Sequence, residues 1–226
     1  MAEEMTDSMR EAMSLDGDRG RLESFYDRWA ASYDADVADH DYGLPEAMVA
    51  ALMAAIDRLS SDDPTCRRFA DESITVLDAA CGTGQVGRAL KAAGYRVIDG
   101  VDLSSEMVAI ASESGVYRKL ESGIDLTEEP PDHLVGHADV MTVGGVFTVG
   151  HVPPESLRPM SKMVRPGGLM VVSTRKAYQD ETGYAAISDA LVEDGVFDLI
   201  VHQADQPYTM DSTGDYWVYR IPARRR

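Results

Sequence analysis

From Ile74 onward the chain alternates between short apolar runs and segments whose apolar residues recur every three or four positions. The first habit fits buried strands, the second amphipathic helices. Ile74-Thr-Val-Leu-Asp78 predicts a strand, then a glycine-rich turn and a helix over roughly 85–93. A second strand is expected at 96–101 and a helix at 104–114, with Ser104 as N-cap and Met107 and Ile110 on its buried side. A short strand follows near 116–120 and a fourth at 138–143. Pro153-Pro154 opens a helix that ends before Pro166-Gly-Gly168, and a fifth strand runs over 169–174. A helix near 181–194 and two strands near 197–205 and 215–221 close the pattern. Strands alternating with helices imply a parallel sheet covered on both faces. Two last strands without a helix between them imply an antiparallel edge hairpin, hence a mixed sheet.

The first 60 residues follow a different pattern. Pro45 opens a helix reaching Leu59, with Leu44, Met48, Leu52 and Ile56 as its stripe. Within 22–34, Tyr26, Trp29 and Tyr33 fall at helical spacing, and Met5, Met9 and Met13 recur every fourth residue. This predicts a helical cap or lid over 1–60 attached to a core over 61–226, one domain altogether.

Composition narrows the function classes. The 226 residues are 44% hydrophobic, enough for a core. No apolar run reaches the ~20 residues of a membrane helix, and the acidic start Met1-Ala-Glu-Glu4 is unlike a targeting peptide. Cys66 and Cys81 have no metal-like spacing, so a reducing cytoplasm and no metal site are expected. The net charge of −18 disfavours nucleic acid as a partner. It serves solubility or attraction of a cationic acceptor; composition fits both.

The densest motif is Val76-Leu-Asp78-Ala-Ala80-Cys-Gly82-Thr-Gly84-Gln-Val-Gly87. Gly82 and Gly84 allow a sharp turn and close ligand approach; Gly87 allows tight helix packing. Asp102 ends the next strand, where a carboxylate can accept ribose hydroxyls. A nicotinamide dehydrogenase would show the same glycines. Asp78 at the strand mouth speaks against a pyrophosphate and suits an ammonium group. Arg165-Pro-Gly-Gly168 before strand five and Tyr216-Trp-Val-Tyr219 near the end point the same way.

Together these segments resemble class I S-adenosylmethionine-dependent methyltransferases over about residues 22–221. Leu77-Asp-Ala-Ala-Cys-Gly-Thr-Gly84 looks like their first motif and Gly100-Val-Asp-Leu-Ser-Ser-Glu-Met107 their second. Tyr26-Asp-Arg-Trp-Ala-Ala-Ser-Tyr-Asp34, Gly115-Val-Tyr117 and Gly144-Gly-Val-Phe-Thr148 with His151-Val-Pro153 look most like the Williams–Beuren-syndrome-region methyltransferase-like proteins. The resemblance implies a doubly wound α/β fold with a seven-stranded mixed sheet, an N-terminal helical cap and S-adenosylmethionine as cofactor, with S-adenosylhomocysteine as product.

It also implies residue roles. Gly82 and Gly84, beside Ala80, line the methionine portion, and Asp78 faces its amino group. Asp102 takes the ribose hydroxyls, and Leu103 and Met107 flank adenine, though Met107 fits plain helix core equally. Asp125 meets the adenine amino group or is a solvated loop carboxylate. Gly144, Gly145 and Val146 lie at the carboxyl edge, where open α/β sheets bind ligands. Tyr33 covers the sulfonium or packs the cap on the sheet; Trp29 reads as core. Methyl transfer needs alignment more than a nucleophilic side chain, and a base only where the acceptor loses a proton. His151 is the candidate base, with a loop histidine as its rival reading, and Tyr178 is a second candidate. The expected function is a cytoplasmic methyltransferase acting on a small-molecule acceptor. The alternatives are a protein acceptor, a non-catalytic cofactor-binding protein and a nicotinamide-binding domain. No membrane association is expected.

Overall fold

In the computed structural model, residues 6–12, 14–38, 43–209 and 212–223 are described. Seven strands form one sheet: β1 (Thr75–Ala79), β2 (Val97–Asp102), β3 (Lys119–Ser122), β4 (Ala138–Phe147), β5 (Val164–Arg175), β6 (Asp198–Thr209) and β7 (Ser212–Arg220). Their order is β3-β2-β1-β4-β5-β7-β6. β1 to β5 pair in parallel, and β7 enters antiparallel between β5 and β6. This is the mixed, doubly wound sheet of the class I methyltransferase fold. The strand order reverses direction between β1 and β4, so a crevice opens there at the carboxyl edge.

The period-two alternation of the strands sorts side chains onto two faces. Leu77, Met141, Met170, Val172 and Trp217 face one cluster, closed by α6 (Leu157–Ser161), α7 (Lys176–Thr182) and α8 (Tyr184–Glu193). Val76, Ile98, Val140, Leu169, Val171 and Val218 face the other, closed by α3 (Leu44–Asp62) and α4 (Gln85–Ala92). The expected helix over 181–194 is two helices, because Gly183 adopts φ +66° and ends the first. α5 (Ser105–Glu113) begins as expected, with the Ser104 hydroxyl accepting the Met107 N–H at 3.1 Å.

The expected 1–60 cap divides differently. Leu44, Met48, Leu52 and Ile56 of α3 pack into the second core cluster, so α3 is a layer of the sheet. Their burial, worth about 1.5–3 kcal/mol each, explains why this stripe seats on the sheet. The separate helical cap is α1 (Asp7–Ala12) and α2 (Arg19–Ala38). Its apolar residues form a third cluster in which Phe25 and Trp29 are buried and Leu15, Tyr26 and Tyr33 pack against them. Of the methionine stripe, Met5, Met13 and the side chain of Met9 lie outside the described residues. Among the described residues no helix is long and apolar enough to cross a membrane.

The segment leading into α2 docks on the loop after β4. The Gly17 N–H donates to the Gly150 carbonyl at 2.9 Å. Gly150 has φ +78°, and a Cβ there would lie 1.8 Å from the Leu15 carbonyl oxygen. Gly150→Ala should therefore push this segment off the core. The left-handed backbone alone costs a non-glycine residue roughly 1–2 kcal/mol. Limited trypsin digestion should then cut at Arg19, Arg21 and Arg28 faster than in the wild type while the sheet stays folded. Unchanged cleavage would show that the contact does not hold the cap.

Candidate active site

The glycine turn after β1 is built by backbone strain and one carboxylate. Ala80 has φ +57°, Gly82 +52° and Gly84 +91°. A non-glycine residue in the left-handed region, as Ala80 is, marks a turn imposed by its surroundings. Asp102, ending β2, accepts the Gly82 N–H at 2.8 Å on one carboxylate oxygen and the Ser104 N–H at 2.9 Å on the other. Each oxygen keeps a second lone pair. Burial pushes the Asp102 carboxyl up, against these backbone hydrogen bonds, and the nearby Asp27 charge adds to the rise.

A second wall comes from β4. Its register with β5 slips between Val143 and Phe147, so Gly144, Gly145 and Val146 bulge out of the ladder. The Gly145 N–H freed by the bulge donates to the Ser173 hydroxyl at 3.1 Å. Ser173 is buried on β5, and nothing in the local sequence marked it.

These walls enclose a cavity of about 130 Å³. Ala80, Gly82, Asp102, Leu103, Met107 and Asp125 line one side of it. Gly144, Gly145 and Val146 line the middle, and His151 lies with Val152 toward the loop after β4. Tyr33 lines it from α2, as do Leu22 and Tyr26, with Gly17 and Arg19 at the start of the cap. Ile124, Leu126 and Thr127 complete the lining. Of these, sequence reasoning gave no site role to Gly17, Arg19, Leu22, Ile124, Leu126, Thr127 or Val152. Tyr26 was expected with Tyr33 on the covering face of the cap, and Leu22 could have been found from its place one helical turn before Tyr26.

Three candidates stand elsewhere. Tyr178 is buried against Phe147 and Tyr184, and its hydroxyl donates to the Val152 carbonyl at 2.7 Å. It props the loop beside the cavity from within the core and is absent from the cavity lining. Asp78 is also off the lining. Its carboxylate accepts the Tyr117 hydroxyl at 2.6 Å and the Thr142 hydroxyl at 3.0 Å, so it backs the glycine turn. Gly84 turns its open face to Tyr117, whose ring lies 3.1 Å from where a Cβ would stand. Gly87 and Gly100 face the same ring even more closely. The glycines that suggested ligand approach thus partly make room for a tyrosine. Trp29 is core, its indole N–H donating to Asp36 at 2.6 Å.

At the other end, the Tyr26 hydroxyl lies 2.6 Å from His151 Nε2, and His151 Nδ1 lies 3.1 Å from the Val149 carbonyl. A carbonyl only accepts, so Nδ1 carries the proton and Nε2 accepts from Tyr26. Burial, with a smaller push from Arg175, lowers His151 to about 4 against the Val149 hydrogen bond. Burial raises Tyr26 well above the usual phenol range; Tyr33, Asp102 and Tyr208 add to the rise, while Arg175 opposes it. The imidazole is therefore neutral at physiological pH.

The roof is fastened by α2 carboxylates. Asp27 accepts the Ser104 hydroxyl at 2.6 Å and the Glu106 N–H at 3.3 Å, at the N-terminus of α5. Asp34 accepts from Thr83 at 2.5 Å, Gln85 at 2.9 Å and Arg88 at 3.2 Å, at the start of α4. Arg19 donates to the Gly123 carbonyl at 3.3 Å, with Asp125 3.9 Å away.

Residues 46–217 match the family model described as a methyltransferase domain. The chain belongs to the methyltransferase domain family. Methyltransferase-like protein 27 of Homo sapiens is 33% identical over 192 residues, covering 83% of this chain and 73% of that protein. Ribosomal protein L11 methyltransferase of Ralstonia nicotianae is 27% identical over 163 residues, covering 67% of this chain but 51% of that protein. The chain thus spans about half the length of that second relative. Among solved structures, the cyclase SpnF superposes with TM-score 0.62 at 17% identity, over 93% of this chain and 98% of that one. The putative methyltransferase in complex with the Trm112 activator of Haloferax volcanii superposes with TM-score 0.58, also at 17% identity, over 87% and 97%. At that identity the likeness is one of fold. The activity of this methyltransferase is methyl transfer with S-adenosylmethionine as its cofactor.

Burial pushes Asp78 up to about 6, against the lowering hydrogen bonds of Tyr117 and Thr142, while the Asp102 charge adds to the rise. A folded value above the unfolded one costs stability that is absent in acid and fully present above about pH 6. Tyr117→Phe removes a hydrogen bond that favours the charged form, so it should raise the Asp78 value further. Urea unfolding at about pH 8 should show a loss of about 1–3 kcal/mol, shrinking toward about pH 4, where the folded carboxyl is protonated in wild type and variant alike. An equal loss at both pH values would contradict this role.

Proposed function

We propose that this methyltransferase acts on a small-molecule acceptor taken into the cavity beneath α2. The observation that carries the reading is the roof. Leu22, Tyr26 and Tyr33 close the carboxyl edge of the sheet, and Asp27 and Asp34 tie their helix to the core. With that roof in place, the covered cavity receives the reacting end of a thin molecule and no folded surface.

Several features suit the cofactor. A Cβ at Gly82 would meet nothing within 4 Å, so the turn is open for backbone approach. Asp102 offers the lone pairs left over from Gly82 and Ser104 to the ribose hydroxyls. Leu103, Met107, Ile124 and Leu126 form an apolar slot for adenine. Asp125 stands at its edge, with one oxygen already accepting from Thr127 at 2.9 Å. The bulge at Gly144–Val146 and the Tyr33 ring line the same cavity and would face the sulfonium from floor and roof.

When bound, the cofactor supplies an electrophilic methyl group. The chain's own part is to align the acceptor behind that carbon and keep water out. Ala80, Gly82 and the β4 bulge fix the floor. Tyr33 and Tyr26 fix the roof, with Trp29 between them, edge-on to Tyr33 at 4.8 Å and stacked on Tyr26 at 6.0 Å.

Two measurements test this. Asp102→Asn should weaken S-adenosylhomocysteine about tenfold or more in calorimetric titration, since a charged acceptor is worth roughly 1.5–3 kcal/mol. Unchanged affinity would remove Asp102 from the ribose site. Incubation with methyl-tritiated S-adenosylmethionine and a cell extract should place the label in an acid-soluble product that separates from the cofactor by cation exchange. Label confined to precipitated protein would replace this reading with a protein acceptor.

A further inference from the structure

The Tyr26–His151 pair presents a definite hydrogen-bonding face to the cavity. His151 Nδ1–H is spent on the Val149 carbonyl, and Tyr26 spends its only proton on Nε2. What remains toward the cavity is the lone-pair side of the Tyr26 oxygen, which can only accept. Both residues line the same cavity as Asp102 and the glycine turn. Asp102 ends β2, on one side of the β1–β4 reversal, whereas His151 follows β4 on the other. The pair's His151 therefore enters the cavity from the β4 side of the crevice, across from the strand end that carries Asp102.

The chemistry of the pair narrows the acceptor further. A cationic ammonium has no nitrogen lone pair for the methyl carbon until it gives up a proton, and the buried, neutral His151 is a weak base for that step. A carboxylate would meet the Tyr26 oxygen lone pair to lone pair. A neutral hydroxyl both donates to Tyr26 and keeps a lone pair for the methyl carbon. The rings of Tyr26 and Tyr33 make the lining suit a flat molecule.

Resting on the small-molecule reading above, we propose that Tyr26 and His151 are a catalytic pair that receives the proton of a neutral hydroxyl acceptor of the phenol class. A lone pair of the acceptor oxygen forms the new bond to the methyl carbon. The carbon–sulfur bond breaks, its electron pair staying on sulfur as a neutral thioether. The acceptor's O–H proton passes to the Tyr26 oxygen as the Tyr26 proton moves to His151 Nε2. The site begins with a sulfonium and ends with an imidazolium, so its charge is unchanged. The imidazolium then releases its proton to water, which the lowered affinity of the buried ring favours.

The test uses para-cresol, a phenol that stays neutral near neutral pH, as probe and para-methylanisole, which lacks the proton, as control. The wild type is first saturated with S-adenosylhomocysteine, so a failure of cofactor binding would sink the underlying reading and is seen separately. Para-cresol should then bind, with para-methylanisole about tenfold weaker. With S-adenosylmethionine the probe should be converted to para-methylanisole. Tyr26→Phe and His151→Gln should each slow this about a hundredfold or more, the loss falling on kcat read at saturating S-adenosylmethionine. Circular dichroism checks the fold of each variant, and either one that is folded suffices. A cofactor-loaded wild type that ignores para-cresol, or variants that convert it at the wild-type rate, would overturn the proposal.

Discussion

Two aspartates on one helix face hold the candidate active site together. Asp27 and Asp34 are seven residues apart, two helical turns, so their carboxylates reach the core side by side. One meets the N-terminus of α5 and the other the first turn of α4. Helix N-termini carry unsatisfied N–H groups and partial positive charge, so a carboxylate is a favourable partner. Both helices begin where β1 and β2 end, at the crevice. A helix tied at those two points must lie across the carboxyl edge, and it brings Tyr26 and Tyr33 with it.

The floor beneath is fixed by a different device. Asp102 ties the glycine turn to the end of β2, while Tyr117 and Thr142 hold Asp78 behind that turn. The Tyr117 ring fills space left by Gly84, Gly87 and Gly100. Three glycines spread over two elements thus accommodate one side chain from a third. The β4 bulge adds the last wall, its exposed N–H held by Ser173. Floor and roof have independent supports, so the roof can be loosened without unmaking the floor.

The sheet was legible because its signal is local. Period-two runs give strands, and their alternation with helices dictates a parallel sheet. The turn residues at 82–84 and Asp102 were legible for the same reason, since their positions relative to strand ends are fixed by sequence spacing. What was not legible depends on distant partners. The stripe of α3 reads as amphipathic whatever covers it, so its seat on the sheet could not be told from a place in the cap. Asp78 reads as a ligand at a strand mouth unless Tyr117 is known to reach it. Tyr178 reads as a base beside β5 until Phe147 and Tyr184 bury it. The Ser173 contact exists because β4 bulges, and two glycines in a row permit that bulge without dictating it. The seven-residue spacing of Asp27 and Asp34 was visible, but two acidic residues on a helix in a chain of charge −18 look like ordinary solvated surface.

The Asp27 and Asp34 carboxylates hold the roof over the candidate active site. The most direct measurement is hydrogen exchange on the Asp27→Ala, Asp34→Ala double variant, paired with calorimetric titration of S-adenosylhomocysteine. Amides of residues 19–38 should lose protection while those of the sheet keep theirs, and affinity should fall about tenfold or more. Unchanged protection across 19–38, or cofactor affinity equal to the wild type, would contradict the account.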